Sequence, residues 1–233
     1  MTNRVHNFNA GPAVLPLEVL KEVQAELLDY KEEGLSVMEM SHRSSTFSQI
    51  INDAKAMVKK LMKIGDEYEV LFLQGGASTQ FYMIPLNLCT EGKVANYLNT
   101  GAWSTKAIKE AKKIGKEVHV AASSEDKEFT YIPKAFKLSE NPAYLHYTSN
   151  NTIRGTEFHF IPEVPEDVPL ICDMSSNFFS RPMDFSKFDL IYGGAQKNIG
   201  PAGATLVVIK RTLLEKMNTG LPTMMDYNSH VAQ

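Results

Sequence analysis

Five short stretches of the chain gather glycine, small polar residues and single charged or aromatic side chains. They are Gly75-Gly76-Ala77-Ser78-Thr79, Asn99-Thr100-Gly101-Ala102-Trp103, Ser149-Asn150-Asn151-Thr152, Asp173-Met174-Ser175-Ser176 and Gly193-Gly194-Ala195-Gln196-Lys197. Lys197 is set among glycine and alanine up to Gly203. A lysine partly buried there would have a lowered amine pKa and become nucleophilic toward a carbonyl; the other reading is a flexible loop lysine. Asp173 follows Pro169-Leu170-Ile171-Cys172 directly, so it would sit over an apolar floor and need a cation or several donors to stay charged. It would either cap its own turn through the amides of Ser175 or Ser176, or face a protonated heterocyclic nitrogen.

The glycine pair at 75–76 opens a helical pattern directly after an apolar run. Free backbone amides and the helix dipole make such a point an anion site, although a plain turn capped by Ser78 has the same pattern. Trp103 is the only tryptophan; it is either a core residue or a flat lid on a flat ligand. Thr152 and the asparagines before it would supply hydrogen-bond donors or simply build a turn.

The elements that position these turns alternate. Leu17, Leu20, Val23, Leu27 and Leu28 recur at helical spacing from Pro16, with Gly34 closing the stretch. Phe47, Ile50, Ile51, Ala54, Met57, Val58 and Leu61 predict a second helix from Ser45 or Thr46, ending before Gly65. The period then changes. Short apolar runs at 70–73, 94–98, 117–120, 143–147, 170–172, 190–192 and 204–209 read as strands, with helices between them up to Leu88 and over 104–114. This predicts an α/β fold with a mainly parallel sheet covered by helices on both faces. The polar segments at 123–129 and 162–169 read as exposed connections, and 219–233 shows no period. Ligands of an open parallel sheet bind at the carboxyl ends of its strands, and the five turns would all lie there. Taken together, a nucleophilic lysine, a carboxylate, a stacking ring and a phosphate cradle meet the requirements of pyridoxal phosphate.

Composition narrows the alternatives. With 233 residues, and about 150 per domain, there is material for a full core. A net charge of −3 favours neither nucleic acid nor an anionic membrane. No apolar run reaches the roughly 18 residues of a membrane span, and the start lacks a secretory leader. Cys89 and Cys172 form neither a disulfide framework nor a metal-ligand spacing, so no metal site is expected. No Gly-Lys-Ser/Thr loop or Gly-x-Gly-x-x-Gly fingerprint supports a nucleotide-binding module. A cytoplasmic enzyme is expected.

The chain also resembles the phosphoserine aminotransferases, class V enzymes of pyridoxal-phosphate fold type I. The resemblance runs through Phe8-Asn9-Ala10-Gly11-Pro12-Ala13, Met40-Ser41-His42-Arg43-Ser44, Gly75-Gly76-Ala77-Ser78-Thr79-Gln80-Phe81 and Gly101-Ala102-Trp103-Ser104. It continues through Asn150-Asn151-Thr152-Ile153, Gly155-Thr156 and Cys172-Asp173-Met174-Ser175-Ser176, and ends on the stretch from Gly193 to Gly203. The resemblance implies that Lys197 binds the cofactor covalently and moves the proton, and that Asp173 pairs with the pyridine nitrogen. It further implies that Trp103 stacks on the ring, that Ala77 and Ser78 hold the phosphate, and that Thr152 and Gln196 contact the hydroxyl and phosphate sides. His42 and Arg43 would meet an anionic group of the substrate, Arg43 through its guanidinium fork; both also fit a turn leading into a helix.

The implied reaction is amino transfer between glutamate and 3-phosphohydroxypyruvate, a phosphorylated 2-oxo acid, in serine biosynthesis. The family also permits 4-phosphohydroxy-L-threonine, in pyridoxine biosynthesis. A homodimer is expected, because two subunits commonly share such a site. On this resemblance residues 1–15 form an N-terminal arm and 16–233 an incomplete cofactor-binding large domain, the chain stopping at Gln233 before a small C-terminal domain. Other class V enzymes fit less well: a cysteine desulfurase usually has histidine before the lysine, where Gln196 stands here, and a mobile cysteine. A fragment that binds cofactor without turning over remains as the reading outside enzymes.

Overall fold

The computed structural model describes residues 4–232; the first three residues of the expected arm, and the expected stop at Gln233, lie outside the described residues. Nine strands form among the described residues: β1 (Tyr68–Leu73), β2 (Val94–Asn99), β3 (Val118–Ser123), β4 (Pro142–Thr148), β5 (Asn150–Asn151), β6 (Thr156–Glu157), β7 (Leu170–Asp173), β8 (Leu190–Gly194) and β9 (Thr205–Lys210). The helices are α1 (Leu17–Ala25), α2 (Ser45–Met62), α3 (Gly76–Leu88), α4 (Ala102–Lys113), α5 (Arg211–Leu214) and α6 (Tyr227–Val231). Seven strands make one sheet in the order β1-β9-β8-β7-β4-β2-β3, and β5 and β6 pair as a short separate hairpin.

The large sheet is mixed but mostly parallel. β8, β7, β4, β2 and β3 run parallel, while β9 is antiparallel to both neighbours, β8 and β1. The carboxyl ends of β1, β2, β4, β7 and β8 therefore share one edge, and the start of the reversed β9 meets them there. Strand order reverses between β2 and β4: the chain moves outward from β2 to β3, and from β4 toward β7 and β8. A crevice opens at such a reversal.

The central strands are apolar because both faces are covered. Leu71, Tyr97, Tyr144, Ile171, Tyr192 and Val207 face Phe81, Ile84 and Leu88 of α3 and Ala107, Ile108 and Ala111 of α4. Their neighbours Val70, Leu98, Leu145, Cys172, Ile191 and Val208 face Val58 and Met62 of α2 together with Phe158, Phe178, Phe185 and Phe188. Each fully buried side chain of this size contributes roughly 1.5–3 kcal/mol. The second face is thus closed by one helix end and by irregular chain rich in phenylalanine.

Three elements differ from the sequence expectation. α1 ends at Ala25, not at Gly34, and none of its residues is buried. Beyond it the chain turns back on itself, with Tyr30 N donating to Leu35 O and Gly34 N to Asp29 Oδ1. In the polar segment at 123–129, Ser123 belongs to β3 and Ser124 is fully buried. The aperiodic stretch after 219 forms a helical turn at Thr223–Met225 and then α6, which buries Tyr227 completely. No helix among the described residues is long and apolar enough to cross a membrane.

Candidate active site

Turns from five strand ends line one cleft of about 160 Å³. Ala77 and Ser78 reach it from the first turn of α3, Trp103 from the first turn of α4, Thr148 from the end of β4 and Asn150 from β5 just after it, Asp173 from β7, and Gln196 and Lys197 from the loop after β8.

The turn at the start of α3 leaves amides free. Gly75 and Gly76 take φ of +88° and +67°, in the left-handed region that favours glycine. Gly75 caps α3 with no side-chain bond to the first turn, so the leading amides have no partner from a cap. Thr79 Oγ1 instead donates to Gly75 O at 3.0 Å, which keeps the turn closed. The result is a row of donors and a positive helix end facing the cleft.

Trp103 is placed by its turn. Ser104 Oγ accepts from the amides of Thr100 and Gly101, each at 3.0 Å. Asn151 Nδ2 donates to Thr100 O at 2.8 Å and joins this turn to the one after β4. A side chain on Gly101 would meet Asn151 Nδ2 at 2.2 Å, so only glycine permits that approach. The indole Nε1 and the hydroxyl of Thr148 are buried without a hydrogen-bond partner, and both residues line the cleft.

Asp173 is buried, with 3% of its surface exposed. Its Oδ1 accepts from the Ser175 amide at 2.9 Å and from the Ser175 hydroxyl at 2.7 Å. The expected cap is therefore present, and the carboxylate still opens on the cleft. No salt bridge reaches it among the described residues. Burial pushes its pKa up, while Ser175, Lys197 and Tyr192 work in the opposite direction. A cation brought into the cleft would restore the charged form.

Lys197 is half-buried in the loop between β8 and β9, which Ala195 N closes by donating to Ala204 O at 2.9 Å. Its Nζ donates to Thr152 Oγ1 at 2.5 Å and lies 4.8 Å from the centre of the Trp103 ring. Burial lowers the amine pKa and the charge of Asp173 raises it, burial being the larger effect. A larger share of neutral amine follows, the form that attacks a carbonyl. The N-terminal segment crosses this loop: Ala13 N donates to Gln196 O at 2.8 Å, and a side chain on Gly11 would come within 3.1 Å of Lys197 Cγ.

Seven of the nine residues singled out in the sequence meet here: Ala77, Ser78, Trp103, Asp173, Gln196 and Lys197 line the cleft, and Thr152 bonds the lysine. His42 and Arg43 do not. Both are exposed in the turn before α2, where Ser44 Oγ caps the helix by accepting from Phe47 N at 3.2 Å. Two buried residues behind the cleft, His146 and Tyr192, were read from the sequence only as strand core. Nothing in their local pattern separates them from it. The cleft as built suits a flat ligand bearing an anionic group, a carbonyl and a cationic ring nitrogen.

Residues 5–228 match the family described as aminotransferase class-V. A phosphoserine aminotransferase from Desulfosudis oleivorans is 59% identical over 230 residues, which is 99% of this chain and 63% of that protein. Among solved structures, the phosphoserine aminotransferase from Bacillus circulans subsp. alkalophilus superposes with a TM-score of 0.95 at 51% identity, covering 99% of this chain and 64% of that one. The PLP-bound phosphoserine aminotransferase from Trichomonas vaginalis gives 0.91 at 39% identity, with 98% and 64% covered. The chain thus spans slightly less than two thirds of the length of the relatives it matches.

Proposed function

The chain belongs to the aminotransferase class-V family, and from that membership we propose that it acts as a phosphoserine aminotransferase. It would move an amino group between L-glutamate and 3-phosphohydroxypyruvate, giving 2-oxoglutarate and O-phospho-L-serine, with pyridoxal 5'-phosphate as cofactor. The observation that carries this reading is the convergence of Lys197, Asp173, Trp103 and the uncapped start of α3 on one cleft. The residues present fit the cofactor. A buried carboxylate that no salt bridge reaches among the described residues suits its ring nitrogen, the free amides suit its phosphate, and Lys197 Nζ lies over the indole where a flat ring would stack.

When bound, the cofactor supplies a carbonyl carbon for the amino group and a ring that takes up electron density from the substrate Cα. The chain supplies the rest. Lys197, its amine pKa lowered by burial, is the nucleophile toward the cofactor carbonyl and the base that takes and returns the proton at the substrate Cα. Asp173 holds a proton on the ring nitrogen, and Trp103 keeps water from one face of the ring. The amides of Ala77 and Ser78, with the Ser78 hydroxyl, hold the phosphate; Gln196 flanks it, and Thr152 faces the ring hydroxyl.

His42 and Arg43 bind the anionic substrate in this reading, and they do so across a homodimer. Both lie outside the chain's own cleft, and α1 has no buried residue while Val19, Val23 and Leu28 stand exposed. In this reading the N-terminal segment is an arm whose Ala13 reaches the lysine loop, and the chain from Pro16 onward belongs to the cofactor-binding domain. The compartment of this reading is the cytoplasm.

Titration with pyridoxal phosphate, borohydride reduction and peptide mapping test the reading. The expected result is a yellow protein labelled at Lys197, bleached by L-glutamate and recoloured by 3-phosphohydroxypyruvate. A label on another amine, or none, would overturn it. Colour that glutamate does not bleach would leave a cofactor-binding chain without transferase activity.

A further inference from the structure

Beneath Asp173 lies a row of buried polar side chains that the proposed reaction does not use. Tyr192 is the cross-strand partner of Asp173 in the β7–β8 register, so both project from the same face of the sheet. Tyr192 works to favour the charged form of Asp173. The Tyr192 hydroxyl is 2.9 Å from His146 Nε2. All three residues are at most 3% exposed.

The protonation pattern follows from what His146 lacks. Its Nδ1 is buried without a well-aligned partner; burial lowers the imidazole pKa to about 3 against the smaller, raising effect of its own backbone, so the ring is neutral. One ring nitrogen then carries a hydrogen. A buried N–H without an acceptor is rarer and costlier than a buried lone pair without a donor. With the hydrogen on Nε2 it points at Tyr192 Oη, which leaves the tyrosine O–H free to donate to Asp173.

We propose that His146 and Tyr192 are positioning residues, forming a relay from His146 Nε2–H through Tyr192 O–H to the Asp173 carboxylate that holds it ionised and directed at a cationic ring nitrogen. The proposal deepens the cofactor reading given above and rests on it for the identity of the cation. Other groups around the relay are accounted for. Lys197 from the β8–β9 loop and Ser175 from the turn after β7 face Asp173. Tyr97 from β2, Tyr227 from α6 and Cys172 lie near Tyr192. The Tyr97 ring packs 5.2 Å from His146 while its hydroxyl pairs with Tyr144 at 2.7 Å. Burial keeps the thiol and the phenols neutral, so Lys197 is the one cation among them.

Two measurements test the relay, one without cofactor. In the cofactor-free chain, labelled with 13C at the aspartate carboxyls, Tyr192→Phe should raise the Asp173 pKa by about half to one unit, a 3- to 10-fold change in its ionisation constant. In the loaded protein, the 15N shift of ring-labelled pyridoxal phosphate should move from pyridinium toward neutral pyridine in Tyr192→Phe and in His146→Leu. His146→Gln, whose amide can replace Nε2–H, should restore much of the pyridinium signal. Borohydride trapping at Lys197 should persist in all three variants. An unchanged Asp173 titration in a folded Tyr192→Phe chain would overturn the relay, as would full pyridinium character in both variants. A parent chain that never binds pyridoxal phosphate would overturn the cofactor reading instead, with the carboxyl titration still deciding whether the relay acts on Asp173.

Discussion

Lys197 Nζ stands 4.8 Å from the centre of the Trp103 ring, and Lys106 Nζ stands 4.5 Å from the same centre. The indole thus has two ammonium groups within cation–π reach, one from a strand-end loop and one from its own helix. Of these, only Lys197 lines the cleft. A flat ligand bonded to Lys197 and stacked on Trp103 would displace that ammonium and put an aromatic face in its place.

Trp103 is the sole tryptophan, so its emission reports on this cleft alone. Addition of pyridoxal phosphate is expected to quench the fluorescence with one-to-one stoichiometry, and Trp103→Phe to remove the signal while cofactor still binds. Ring stacking contributes about 0.5–1.5 kcal/mol, so Trp103→Ala should weaken binding about 2- to 10-fold. Emission that stays constant while the absorbance of bound cofactor saturates would place the cofactor elsewhere.

Asp173 should cost the empty chain stability. Burial raises its pKa, so between the unfolded value of about 4 and the raised native value the folded chain holds the extra proton. Stability then falls as pH rises through that window, and the full penalty is present above it. Asp173→Asn removes the penalty. The cofactor-free variant should melt above the parent at pH 7, by about 2–4 °C for each kcal/mol recovered in a chain of this size. The difference should shrink toward pH 4, and the same variant should bind pyridoxal phosphate more weakly. Melting at or below the parent temperature at pH 7 would mean that the bonds from Ser175 outweigh the burial.

The two glycines before α3 should respond differently to alanine. A side chain on Gly75 would come within 1.9 Å of Thr79 Oγ1, the hydroxyl that closes the turn, whereas nothing lies within 4 Å of one on Gly76. Both have positive φ, a strain of about 1–2 kcal/mol for alanine. Gly76→Ala should lose about that much in chemical denaturation. Gly75→Ala should lose more and also weaken binding of the phosphate group, because Thr79 must leave Gly75 O. Equal losses in the two variants would show that the turn absorbs the contact freely.

Strands and their carboxyl-end turns were legible because each apolar run ends abruptly in glycine and small polar residues, as at Leu73 to Gly75 and Tyr192 to Gly194. α2 was legible because its apolar residues recur at helical spacing, although only its end packs on the sheet: Val58 and Met62 are buried while Met57 and Leu61 stay exposed. The limit of α1 was not. Its apolar spacing continues to Leu28, yet Leu28 is 85% exposed, and no packing within the described chain holds the helix past Ala25. Likewise His146 and Tyr192 acquire their partners from strand register, which one strand's pattern does not encode. The motif containing His42 and Arg43 gives residue types but not their place, an exposed turn outside the cleft.

Tyr227 shows how far an aperiodic segment can be fixed by one contact. It is fully buried, its hydroxyl donates to the equally buried Gln80 Oε1, and its amide donates to Asn87 Oδ1 at 3.3 Å. Gln80 and Asn87 both belong to α3, the helix whose first turn faces the cleft. Tyr227→Phe keeps the ring but leaves Gln80 Oε1 without that donor, a loss of about 1–3 kcal/mol. Adding Gln80→Leu should recover part of it, since no buried acceptor is then left unpaired. Both effects are read from denaturation midpoints. A Tyr227→Phe chain as stable as the parent would mean that water or a rearranged Gln80 fills the gap, and that the C-terminal turn rests on the buried ring alone.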